Sequence, residues 1–408
     1  MTNGRTQDAV VLTGTGANAA FEVGVLQGLR RDSWGESGNP PIQPFCYSGT
    51  SSGALNAAAM VSTAHLPAKD ALDRLEDIWL DQIAASAGSA TGLFRIRWDP
   101  TQYAQVKYGT DPARPWIDFA KDALHVAGEL AQRALLAASN SRTLPDGIVQ
   151  LGEFCELLDI APLRRLVEEA VDARQIAANK DICRLRVTAV DWLKGTPRTF
   201  ENRDFECPWA NQILVAAQAL PSVVNPEMVD GVPYVDSCVL FDRPLKPAID
   251  AAAKDDDAPP LVLHAVYVDS TSRDIPMPPL SNTFASLYRL YMLALSRSIL
   301  TDISRADAVN KRLWMKGLLE TVIEASAGGE AVSGEIQERA NRDLEGKKTL
   351  TIHRYAPKAH THGFELGQFQ RDTISQLIQH GREIAQRHNC REAGCILPED
   401  TRDLRRIS

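Results

Sequence analysis

The order of elements across the first sixty residues constrains this chain most: strand, glycine loop, helix, strand, tight turn, helix. Ala9 to Leu12 is a short apolar run, and Ala19 to Leu29 carries apolar residues at helical spacing. Phe45 to Tyr47 then leads into Gly49-Thr50-Ser51-Ser52-Gly53 and on into Ala54-Leu55-Asn56. This is a βαβ unit, which implies parallel strands and a right-handed crossover. An amphipathic helix follows, with Leu72, Leu75, Ile78, Trp79 and Ile83 on one face. Strand character returns at Leu185 to Val190 and at Leu261 to Val268, and both are expected to extend the parallel sheet. The second is an unbroken apolar run, as expected of a strand buried on both faces.

Residues 86–150 lack strand alternation and read as a helical insertion, either a lid or a helical layer on the sheet. From Ser281 onward the pattern is mainly helical, with one strand at Thr349 to His353 and a last helix at Phe369 to His388. The expected division is therefore a core at 1–280, carrying the 86–150 insertion, and a mostly helical C-terminal extension at 281–408 packed on it.

Composition removes several classes of function. A net charge of -8, with no clustered Lys/Arg run, provides no field for collecting nucleic acid or anionic lipid. The first residues lack a signal-peptide apolar core, and nowhere do about 18 uncharged apolar residues run together. The expectation is a cytoplasmic protein without a transmembrane segment, at most peripheral at membranes. Seven cysteines at 46, 155, 183, 207, 238, 390 and 395 do not form a disulfide frame and imply a reducing compartment. Only Cys390 and Cys395 lie close together, and with no second pair nearby no metal site is expected.

The sharpest chemical signal is the G-x-S-x-G turn. A strand ending in Gly49-Thr50-Ser51-Ser52-Gly53 and running straight into a helix has the form of a nucleophile elbow, in which small neighbours allow Ser51 a strained turn with Oγ exposed. The positive end of the following helix would favour negative charge developing at a reacting carbonyl. The plain alternative is a serine N-cap. A second signal is Gly14-Thr15-Gly16-Ala17-Asn18-Ala19, a loop between strand and helix whose amides would converge on an anion. One such anion is a dinucleotide pyrophosphate, since the loop matches a Rossmann fingerprint ending in alanine. That reading needs an acidic residue ending the second strand, and the nearest candidate, Asp32, falls in a polar stretch instead. The other is the oxyanion of acyl transfer, which a serine elbow on the next strand favours.

A nucleophilic serine needs a base. The eight histidines, at 65, 125, 264, 353, 360, 362, 380 and 388, do not sit in loops directly after obvious strands. His264 lies in an apolar strand and reads as a satisfied core histidine, while His353, His360 and His362 stay open as bases. The carboxylate that stands out is Asp236, projecting from the end of the apolar stretch Val232 to Val235. Its plain alternative is a turn aspartate capping its own backbone.

In this order and spacing the glycine loop with its Gly24-Val25-Leu26-Gln27-Gly28-Leu29 helix, the Gly49 to Ala57 elbow and the Tyr234 to Ile249 segment resemble the patatin-like phospholipases. The Cys183 to Phe200 segment resembles the family's middle strand, so the likeness spans roughly residues 8–270. It implies an α/β fold, a three-layer α/β/α sandwich with a mainly parallel central sheet. It also implies lipid acyl hydrolysis by a Ser-Asp dyad without histidine, metal or cofactor. Position by position, Ser51 is the nucleophile, Asp236 the base, Gly14, Thr15 and Gly16 the oxyanion hole, and Gly49 and Gly53 the elbow glycines. The family loop G-G-G-x-[KR]-G is altered here at Thr15, Asn18 and Ala19, and D-G-[GA] becomes Asp236-Ser237-Cys238.

The resulting reading is an acyl-ester hydrolase of the phospholipase A, lysophospholipase or esterase type. Its partner would be a lipid or phospholipid substrate met by transient membrane-surface contact. Two rivals are a weakly active or non-catalytic binding protein that keeps the fold, and a nucleotide-binding protein using the Gly14 to Ala19 loop.

Overall fold

The computed structural model describes residues 6–14, 16–84, 93–96, 158–221, 224–237, 243–252, 259–267, 283–325, 346–357 and 369–398, with isolated positions in 117–131 and at 344. Its strands are β1 (Gln7–Leu12), β2 (Cys46–Gly49), β3 (Arg95–Ile96), β4 (Leu158–Asp159), β5 (Arg184–Asp191), β6 (Thr196–Glu201), β7 (Glu227–Val229), β8 (Val232–Asp236), β9 (Leu261–Val266) and β10 (Leu350–Tyr355). The helices are α1 (Ala20–Arg30), α2 (Ser52–Ser62), α3 (Ala68–Asp77), α4 (Ala161–Ala170), α5 (Ala173–Ala178), α6 (Ala210–Ala216), α7 (Lys246–Ala251), α8 (Thr283–Ala325), α9 (Arg371–Gln386) and α10 (Cys390–Ala393).

One mixed, mostly parallel sheet of eight strands organises the molecule, in the order β10-β9-β1-β2-β5-β8-β7 with β6 also on β5. β10, β9, β1, β2 and β5 run parallel, whereas β6 and β8 are antiparallel to β5. Alternation along β1 divides the two faces. Val10 and Leu12 point into a core with Phe21, Leu26, Leu55 and Ile378, from α1, α2 and α9. Ala9 and Val11 point into a second core with Ala248 of α7 and Ile299 and Ile303 of α8. Helices on both faces of the sheet make three layers, as the sequence led one to expect. The strand at 261–266 is buried at every position, as its unbroken apolar run requires.

Two regions add detail to the sequence reading. The segment after residue 280 is built into the core: β10 extends the main sheet beside β9, and Asn310 of α8 fastens it by accepting from the Leu350 N–H at 2.9 Å and donating to the Leu350 carbonyl at 2.6 Å. α9 lies so close to α1 that a Cβ on Gly24 would stand 1.8 Å from the Ile378 carbonyl oxygen, and one on Gly381 2.0 Å from that of Phe21. In the 86–150 insertion the described residues include a two-residue strand, β3, paired antiparallel with β4, together with helical positions at 120–124. The rest of that insertion, and with it the expected lid, lies outside the described residues.

Candidate active site

β2 is fully buried and ends at Gly49, and the chain turns at once into α2. Ser51 sits at the turn with φ 52° and ψ -137°, and among the described residues only Asp230 shares a positive φ without being glycine. Such a conformation costs about 1–3 kcal/mol and persists only where its surroundings over-determine it. The flanking glycines supply those surroundings. A Cβ on Gly49 would lie 2.4 Å from the Gly53 carbonyl oxygen, and one on Gly53 would lie 2.5 Å from that of Leu12 and 2.8 Å from the Gly14 nitrogen. The start of α2 is therefore packed backbone to backbone against the glycine loop of β1. Ser51 makes no side-chain capping bond to α2, so the plain N-cap reading fails.

The glycine loop continues into a short 3-10 turn, Gly16–Ala19, before α1, and Gly16 adopts φ 52°. Thr15 lies outside the described residues. Beneath the loop is a buried polar chain that the sequence reading missed. Trp79 Nε1 donates to Asn56 Oδ1 at 2.7 Å, and Asn56 Nδ2 donates to Glu22 Oε2 at 2.8 Å and to the Ala19 carbonyl at 3.0 Å. Glu22 is fully buried, and burial pushes its carboxyl up to about 8, against the Asn56 hydrogen bond and the amides of Gly14 and Thr13. A carboxylate among apolar residues on an inward helix face, Ala20-Phe21-Glu22-Val23, was the available signal.

Asp236 is buried at the end of β8. β6 occupies one edge of β5 at residues 186–191, so β2 and β8 share the other edge, end to end. Gly49 pairs with Val187 and Asp236 with Ala189, so the end of β8 faces the end of β2 across two residue rows. At about 3.3 Å per residue that gap is ~7 Å, within the span of two short side chains and the Thr50-Ser51 turn. The Asp236 N–H donates to the Ala219 carbonyl at 2.9 Å, which fixes the strand end. Cys238 lies outside the described residues.

The other candidates lie elsewhere. Asp32, which a dinucleotide site would have needed, is held by Arg382 at 3.0 Å and by Gln386 at 3.0 Å on α9. His264 is a satisfied core histidine, with Nδ1 3.2 Å from Tyr355 Oη and Nε2 3.3 Å from Asp8 Oδ1. His353 is on β10, three strands from β2, about 14 Å across the sheet. His360 and His362 lie outside the described residues.

At that far edge, where Cys390 and Cys395 alone gave no reason to expect a metal site, the structure adds two histidines to the cysteine pair. His353, His388, Cys390 and Cys395 bring one donor atom each to within 4.8 Å of one another. Burial holds His353 down at about 3 and His388 at about 4, so both rings are neutral, and it pushes the Cys395 thiol up. The sequence reading looked for a second cysteine pair, whereas the structure supplies two histidines, one of them from a strand.

Fold and turn together define an α/β protein with a strained serine turn between β2 and α2. The chain belongs to the patatin-like phospholipase family: the model of that family matches residues 10–249, more than half of the chain. Members of the family are typically lipid-hydrolysing esterases. No curated protein matches the chain. Among solved structures it is similar to VipD from Legionella pneumophila, at 16% identity and a TM-score of 0.31, over 92% of this chain and 67% of that one. No helix in the described residues is long and apolar enough to cross a membrane.

Proposed function

We propose that this protein hydrolyses acyl esters of lipids through an acyl-enzyme on Ser51. The observation that carries the reading is the strained Ser51 turn, whose strand β2 meets the Asp236 end of β8 head-on along β5. Ser51 Oγ attacks the ester carbonyl, Asp236 takes its proton, and the amides of Thr15 and Gly16 receive the oxyanion, since the Gly14 amide, the third expected donor, is engaged by the Glu22 carboxyl. Collapse of the adduct breaks the ester C–O bond, and the departing alcohol takes the proton held by Asp236. Water, deprotonated by the same carboxylate, then hydrolyses the acyl-enzyme to free the fatty acid and Ser51. A carboxylate with an ordinary pKa is a weak base for a hydroxyl, so the buried position of Asp236 and the oxyanion amides share the catalytic burden. One oxyanion donor is worth about 2.7–4 kcal/mol in a comparable serine hydrolase.

The same end of the sheet offers a lipid contact. β5 runs four residues past the level of Gly49, and its turn into β6 presents Trp192 and Leu193, 47% and 77% exposed, beside Lys194. An apolar tip with a cation beside it suits a headgroup boundary. The substrate is then a bilayer or micellar lipid met transiently at the carboxyl ends of the strands.

The test is labelling by a fluorophosphonate probe together with hydrolysis of phospholipid vesicles and a soluble ester. Wild type should label and turn over, Ser51→Ala should do neither, and Asp236→Asn should label far more slowly. Undiminished labelling of Ser51→Ala would refute the assignment.

A further inference from the structure

We infer that His353, His388, Cys390 and Cys395 form a structural zinc site that fastens the C-terminal segment to the edge strand of the sheet. Two thiols and two imidazoles are the donor set of tetrahedral zinc, and without a carboxylate or carbonyl among them the site disfavours magnesium and calcium. With Zn–S about 2.3 Å and Zn–N about 2.0–2.1 Å, tetrahedral angles put neighbouring sulfur and nitrogen ligands ~3.5 Å apart. The contacts agree: Cys390 Sγ lies 3.4 Å from His353 Nδ1 and 3.6 Å from His388 Nε2, and Cys395 Sγ lies 3.3 Å from the same His388 nitrogen.

Hydrogen bonding alone does not account for this arrangement. An imidazole nitrogen offers one lone pair or one proton, yet His388 Nε2 faces two sulfurs at once. A cation at the centre satisfies all four atoms. The Arg354 backbone N–H donates to Cys395 Sγ at 3.4 Å, a contact that would hold a metal-bound sulfur in place. The rings are held by aromatic contact, His353 against Trp34 at 5.0 Å and His388 against Tyr355 at 4.5 Å between centroids.

The fold needs such a fastening. α10 buries none of its residues, and its hold on the sheet besides this cluster centres on the bridge between Ile352 and Ile396, with N–H to carbonyl distances of 2.8 and 3.0 Å. Four protein donors fill a tetrahedral shell, so the ion stabilises and leaves no open position for catalysis. A groove of about 970 Å³ beside the cluster, lined by Trp34, Glu36 and Asn389 among others, gives the ion a way in.

The experiment uses the full chain, free of any tag and purified under reducing conditions without chelator. Elemental analysis should find about one zinc per chain, retained in Ser51→Ala and lost in Cys395→Ser. Cobalt(II) added to metal-stripped protein should give the intense visible bands of tetrahedral coordination and a thiolate charge-transfer band. If Cys395→Ser fails to fold, the wild type still decides: Cys390 and Cys395 should resist alkylation until a chelator is added. Zinc at background with equal alkylation in either condition, a Cys390–Cys395 disulfide, or a stoichiometric metal other than zinc would each overturn the proposal. Because Ser51 labelling is scored separately, either reading can fail while the other stands.

Discussion

The middle of the sheet and its β10 edge are built by opposite means. Around β2 and β5 the proposed nucleophile, Ser51, comes from a contiguous segment, and its geometry is imposed by backbone crowding at Gly49 and Gly53. At the β10 edge, His353 from the strand meets three donors from the short span 388–395, a meeting that no local pattern announces, and side chains rather than backbone make the arrangement. The first region stores strain at a single residue; the second gathers two imidazoles and two cysteine sulfurs in largely buried surroundings. A site of the first kind tolerates almost no added atoms, whereas one of the second kind depends on four separate side chains reaching a common point.

That contrast can be broken by substitution. The largest effect is expected at Ser51→Ala, which should lower kcat/KM on lipid esters by at least ~10³-fold while leaving zinc content and the unfolding temperature close to wild type. Cys395→Ser should do the reverse, lowering the unfolding temperature while the variant, assayed well below that temperature, still labels at Ser51. A Cys395→Ser protein that folds normally but is inactive would mean that the two regions are coupled. Next comes Gly381→Val, where the new side chain meets the Phe21 carbonyl across the α1–α9 contact. Overpacking of about 1–3 kcal/mol or more should appear in urea unfolding as a lower midpoint.

A smaller effect sharpens the picture of the serine end. Trp192→Ala with Leu193→Ser should reduce hydrolysis of vesicles several-fold and leave a soluble ester untouched. Equal losses on both substrates would remove the lipid-contact role of the β5–β6 turn. A pH-dependent effect concerns Glu22. Its folded pKa, about 8, lies above the ordinary 4.5, so its contribution to stability is complete below pH 4.5 and is lost as pH rises through 8. Glu22→Gln should therefore gain in unfolding temperature relative to wild type between pH 5 and pH 9, and a constant difference across that range would show that Glu22 does not titrate in it.

Much of the fold was legible because its signals are local. The Gly14 to Ala19 loop, the Gly49 to Gly53 turn and the apolar run at Leu261 to Val266 each report backbone geometry or burial within a few residues. Asp236 was legible as a strand end, but not the antiparallel direction of β8 or its position end to end with β2, since pairing direction is set by connections outside the segment. Glu22 and Asn56 were missed because each looks like an ordinary helix residue until Trp79 is placed beside them. The segment after residue 280 read as an extension because its helices dominate the pattern and its single strand has no partner nearby in sequence.

The sequence alone determined the βαβ start, the elbow around Ser51, the glycine loop and the α/β class, because steric rules on φ and ψ and the period of apolar residues act over a few positions. Only the tertiary structure decided that β8 ends opposite β2, that β10 and α9 belong to the core, and that His353 meets His388, Cys390 and Cys395. Those outcomes depend on which strand edges and helix faces remain to be covered once the rest of the chain has folded, and that is a property of the whole molecule.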